Sequence, residues 1–174
     1  TSFKWDIFLF GARSTADPAN VNISGLTASN DFSSPDGLWF SSSGILWIQT
    51  DDGAYTDVTN CMLLAAVPGT VGDGAKKTIT NVDGAATKTV DTYVSAPLGD
   101  AKLRRFLVGP KDCEITGIVE TPDRKAIFVN IQHPGEGTST ANFTAGNYIS
   151  NWPGGGASRP RSATIGITRN DGGA

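Results

Sequence analysis

The sequence predicts an all-β protein, and three observations carry that expectation. Gly (21) and Pro (9) punctuate the 174 residues more densely than a helical bundle tolerates. No window of about a dozen residues sustains the i, i+3, i+4, i+7 apolar pattern without a Gly or a Pro. Short runs rich in β-branched and aromatic residues recur instead, bounded by turn residues.

In order along the chain, strands are expected near 3–10, 37–41, 45–50, 60–66, 88–94, 102–108, 115–121, 126–132 and 161–169. The first rests on alternation, with Trp5, Ile7 and Leu9 set against Lys4, Asp6 and Phe8. The next two form a unit: Ser34-Pro35-Asp36-Gly37-Leu38-Trp39-Phe40, a Ser41–Gly44 turn, then Ile45-Leu46-Trp47-Ile48-Gln49-Thr50. A second unit repeats the scheme from Cys113-Glu114-Ile115-Thr116-Gly117 through a turn at Thr121–Lys125 to Ala126-Ile127-Phe128-Val129-Asn130-Ile131-Gln132. In each, an acidic residue precedes a Gly-started strand. Gly37 and Gly117 stand 80 positions apart, near two periods of the roughly 40–45 residues of a four-stranded propeller blade. Radial repetition of small sheets explains that spacing. The run 60–66 and the run 102–108 supply outer strands, and the Gly-, Thr- and Asp-rich stretch 67–102 reads as an insertion with its own hairpin. Residues 135–160 read as a loop anchored by Trp152, and 161–169 as a closing strand.

Composition narrows the function. With 39% apolar residues and 9% aromatics the chain is neither disordered nor a disulfide-bonded mini-protein. A net charge of −3 argues against coating nucleic acid or an anionic membrane. No apolar run reaches the roughly 20 residues of a membrane span. The sequence opens directly in a strand without an initiator Met, which reads as a piece of a longer protein. Cys61 and Cys113, 52 positions apart, form no metal-ligand spacing. Buried thiols are the first reading, a disulfide or a thiol near a site the others.

Candidate chemistry rests on few residues. Asp36 is either a turn residue, since Pro35 and Gly37 suit a type I turn, or an acid at the mouth of a central channel. Glu114 heads a strand in an apolar neighbourhood, where a carboxylate is costly unless paired or metal-bound. Two such acids in one channel would repel, and a cation resolves the repulsion; carboxylates favour calcium and also take trivalent iron. Asp123 sits in a hairpin turn and is expected in solvent. His133, the single histidine, is read first as a turn residue with a hydrogen-bonded ring and second as a ligand. Arg104, Arg105, Arg159 and Arg161 either face an anionic substrate or are solvated. No GxSxG, GxxxxGK[ST] or GxGxxG pattern occurs.

The Ser34–Phe40 and Leu46–Asp51 segments resemble a signature of the PhoX-type alkaline phosphatases. Arg104–Pro110, Cys113–Gly117, Phe128–Glu136, Ser158–Ala163 and Arg169–Gly173 extend the resemblance. Asp112, where a Gly is common, and the long 67–102 stretch depart from it. The resemblance implies a six-bladed β-propeller of which residues 1–174 are the C-terminal blades. It implies a phosphomonoesterase with an iron and calcium cluster, exported by the twin-arginine route to the periplasm or beyond. It carries metal-ligand roles to Asp36 and Glu114. With the remaining ligands upstream, this chain is expected to be inactive alone and to associate through open propeller edges. A non-catalytic propeller binding module and a propeller lactonase-type hydrolase are the alternatives.

Overall fold

The computed structural model describes residues 1–51 and 58–173. Among them lie β1 (Pro35–Phe40), β2 (Leu46–Thr50), β3 (Met62–Ala66), β4 (Ala75–Asp83), β5 (Ala86–Val94), α1 (Gly99–Lys102), β6 (Leu103–Val108), β7 (Glu114–Glu120), β8 (Ala126–Gln132), α2 (Thr140–Ala145) and β9 (Ala163–Thr168). All pairings between strands are antiparallel. They make a four-stranded sheet β1-β2-β3-β6, a three-stranded sheet β7-β8-β9 and a separate β4-β5 hairpin. None of the three sheets closes on itself among the described residues.

The four-stranded sheet is the middle layer, because its central strands are apolar on both faces. Leu46 and Ile48 of β2 join Met62, Leu64 and Ala66 of β3 and Leu103 of β6 on one face, under Ala12, Leu26 and Phe32. On the other face Trp47 and Leu63 pack with Ile115, Val129 and Ile131 of the second sheet. Period-two alternation with both sides covered gives the near-continuous apolar runs seen in β2 and β3. Trp152 packs against this second cluster, as its place in a polar loop suggested.

The two hairpins share their devices. Gly44, at φ 85°, closes the β1–β2 turn, and Arg124, at φ 59°, closes the β7–β8 turn. A bulge interrupts β1 between Pro35 and Leu38 and β7 between Thr116 and Ile118. Each holds the strand glycine: a Cβ on Gly37 would lie 2.4 Å from Gln49 Oε1, and one on Gly117 would lie 2.9 Å from Asn130 Nδ2. Extra residues at bulges bend strand ends, and here both bends fall beside an acid.

Three expectations are corrected. Residues 3–10 form no strand. Ile7 makes a single parallel bridge to Val94, and Phe8 and Leu9 pack on the first core cluster while Phe3 (85% exposed) and Trp5 (64%) face outward. Alternation there marks a coil segment that half-buries two side chains. The stretch 67–102 does hold the expected hairpin, but its first strand, β4, is one the strand expectations lack. The loop 135–160 contains α2, too short for a periodicity search; Ser139 Oγ accepts the Asn142 N–H at 3.2 Å, and Gly146 at φ 77° ends it.

Candidate metal centre at the strand ends

Antiparallel pairing sets Glu114, first residue of β7, opposite Gln132, last residue of β8. The next residue, His133, leaves the strand at φ 36° and donates its backbone N–H to Ser162 Oγ at 2.9 Å. Its imidazole turns back to Glu114, with Nε2 3.4 Å from Oε2. Nδ1 lies 3.1 Å from Glu136 Oε2 but without hydrogen-bond geometry. In the first hairpin Pro35 pairs with Thr50, so Asp36 and Asp51 occupy the corresponding strand end. There the Asp51 N–H donates to the Ser34 carbonyl at 3.2 Å.

Because β7 packs on β1 and β2, the two strand ends converge. Asp51, Glu114 and His133 each offer a ligand atom, all within 4.8 Å of one another. Glu114 is buried, at 7% exposure, whereas Asp36 and Asp51 are exposed. Burial pushes the Glu114 carboxyl above its ordinary range, the Asp51 charge adds to this and Asp36 adds less, while His133 pulls the other way. Two carboxylates and an imidazole thus converge on one point with their negative charge only partly offset. That donor set fits a hard or borderline cation.

Asp36 is not a turn residue: it lies inside β1, one position past its start, and its charge reaches Glu114. Glu114 is buried and partnered. His133 is at the bend after β8 with its ring hydrogen-bonded, as its first reading had it, and the partner is the buried Glu114 carboxylate. Asp51 closes the Leu46–Asp51 motif and is a further ligand candidate that the motif alone does not mark. The signal was the repeat itself, because Asp51 follows Gln49-Thr50 as His133 follows Ile131-Gln132.

Other candidates are engaged elsewhere. Asp123 is in solvent, accepting from Thr121 Oγ1 at 2.6 Å and from the Lys125 N–H. Arg105 pairs with Asp31 and donates to the Ala28 and Asp31 carbonyls, and Arg104 Nε donates to the Asp100 carbonyl at 2.8 Å. Arg159 stacks over Phe143, 4.7 Å from the ring centroid. Cys61 and Cys113 are buried thiols in the inter-sheet cluster. Asp112 takes φ 50°, which is why a glycine suits that position.

The comparisons with known proteins place this antiparallel β assembly in one family. The family model described as Alkaline phosphatase PhoX matches residues 1–135, and the chain belongs to that family. Among solved structures it is similar to Pseudomonas fluorescens PhoX in complex with vanadate, a transition state analogue, at 32% identity and a TM-score of 0.60. That match covers 95% of this chain and 23% of the other, so the chain spans about a quarter of its relative's length. No curated protein matches the chain. Among the described residues no helix is long and apolar enough to cross a membrane.

Proposed function

We propose that the chain forms part of the active-site wall of a metal-dependent phosphomonoesterase, on neighbouring blades of a six-bladed β-propeller. The observation that carries this reading is the buried Glu114 carboxylate, converging with Asp51 and His133 in a chain of the PhoX family. Asp36 and Glu114 serve as ligands to the calcium and iron of the full enzyme, and Asp51 and His133 extend the set. When bound, such ions neutralise phosphoryl oxygens during transfer. The side chains themselves hold and orient: β7 fixes Glu114, the Ser162 hydroxyl steadies the His133 backbone, and neither acid shuttles protons.

Membership of the family supports a substrate of the phosphate-monoester class and export to the periplasm or beyond. Since the chain spans 23% of its structural relative, it supplies part of the ligand set and is inactive alone. The β1 edge carries exposed Leu38 (66%) and Phe40 (61%), which favour association with further blades or a second copy.

The test pairs calcium titration of the 174-residue chain with phosphomonoester hydrolysis by the full-length enzyme. Glu114→Gln is expected to weaken calcium binding and to abolish hydrolysis, and Asp36→Asn to lower both. Full-length turnover indifferent to both substitutions would overturn the reading.

A further inference from the structure

The two sheets flank an open cavity at the opposite end of the strands from Glu114. It measures about 630 Å³, within the range of small-molecule sites. Its wall runs from Trp47 and Phe106 of the first sheet to Ile127 and Ile167 of the second. Trp47 and Phe106 meet edge to face, with ring centroids 4.9 Å apart. Phe106 stays 45% exposed beside the opening.

Two polar features accompany this apolar floor. The Trp47 indole is buried, and its Nε1 has no hydrogen-bond acceptor among the described residues. An orphaned buried donor calls for a ligand atom or a bound water. The rim is the β7–β8 turn, which presents Arg124 and Lys125, both exposed and with no ion pair among the described residues. The neighbouring charges are engaged: Arg169 pairs with Asp171 at 2.6 Å, and Glu120 Oε2 accepts the Ser42 hydroxyl at 3.0 Å. Asp123, close enough to feel Lys125, is held by the Thr121 hydroxyl and the Lys125 backbone N–H. The wall and its turn thus carry three cations and three carboxylates, and among the described residues Arg124 and Lys125 are the two cations not held in an ion pair.

We propose that this inter-sheet cavity binds a small amphipathic anion, an aromatic carboxylate in chemical class. Its ring lies on Trp47 and Phe106, an oxygen accepts from Trp47 Nε1, and its charge is met by Arg124 and Lys125. The apolar floor supplies affinity by burying the ring, and the two cations select the ionised acid over a neutral analogue. The site is independent of the proposed metal centre and needs none of its residues.

The test titrates the 174-residue chain with 2-naphthoate and with 2-naphthamide, following indole N–H resonances by NMR. Four tryptophans give four reporters, and Trp47→Phe identifies the relevant one. Naphthoate is expected to move the Trp47 signal and to bind more tightly than the amide. The exposed double substitution Arg124→Asn/Lys125→Gln should weaken it about fivefold, the scale of losing two surface charge contacts. Phe106→Ala should weaken both ligands, and Leu38→Ser, on the opposite edge of the sheet, neither. Equal binding of acid and amide, indifference to the Arg124 and Lys125 substitutions, or loss with Leu38→Ser would each overturn the assignment. Unchanged positions of the other three indole signals show that a variant has kept its fold.

Discussion

Glu114 Oε2 lies 3.4 Å from His133 Nε2 because the β7–β8 ladder ends with Glu114 opposite Gln132. The contact is thus a product of register. Sliding β8 by one residue would send His133 to the other face of the sheet.

The raised Glu114 carboxyl predicts how the metal-free chain responds to pH. The folded state holds this proton more tightly than the unfolded state, whose carboxyl titrates near 4.5. Stability should therefore fall as pH rises from there through the higher folded value, and stay low above it. Glu114→Gln should flatten that step and stabilise the metal-free chain at neutral pH. Denaturant midpoints at a series of pH values decide the matter, and a variant weaker than its parent at pH 7 would refute it.

His133 sits in the left-handed region, which asparagine also tolerates. His133→Asn keeps the backbone but removes the ring that partners the buried Glu114, and should cost about 1–2 kcal/mol of folding stability. Calcium or ferric-ion affinity should drop at least about tenfold, the scale on which metal sites respond to altered ligation. Calorimetric binding and thermal unfolding on one preparation separate the two effects.

Gly109 sits at a tight joint against Cys113 and Ile115. A Cβ there would meet Cys113 Sγ at 2.4 Å and Ile115 Cδ1 at 2.9 Å. Gly109→Ala should cost about 2 kcal/mol by overpacking. Adding Cys113→Ala should return part of it, and a double-mutant cycle on unfolding free energies measures the coupling.

Burial, with Cys61 next in weight, pushes the Cys113 thiol up to about 12. Folded protein at pH 8 should resist alkylation at Cys113 for hours and lose that protection in denaturant. Mass spectrometry after timed iodoacetamide exposure reads this out; rapid labelling of the native chain would contradict the buried placement.

The hairpins and the acid at the head of each were readable because alternation, turn residues and strand glycines all act locally. Leu46–Thr50 and Ala126–Gln132 announce themselves by composition, and Glu114 by its apolar neighbours. What lay outside that reading depends on distant parts of the chain. Asp51 meets Glu114 only through sheet packing, and residues 3–10 alternate like a strand yet find one bridging partner, Val94. The six-residue α2 owes its existence to Ser139 and Gly146 at its ends, not to any apolar stripe.

The 67–102 stretch that carries the β4–β5 hairpin begins and ends at one point, since the Val67 N–H donates to the Lys102 carbonyl at 2.8 Å. β3 and β6 would therefore still meet if a short turn replaced it. The N-terminal arm would not be so indifferent. It is clasped to the hairpin by Ile7 at Val94, by Asp6 at the Gly72 N–H, by Asn20 at the Thr80 N–H and by Lys77 at the Ile23 carbonyl. That arm in turn roofs the first core cluster with Ala12, Leu26 and Phe32. A relative with a trimmed hairpin must moor its N-terminal arm some other way, so length at 67–102 and sequence at 5–23 should vary together.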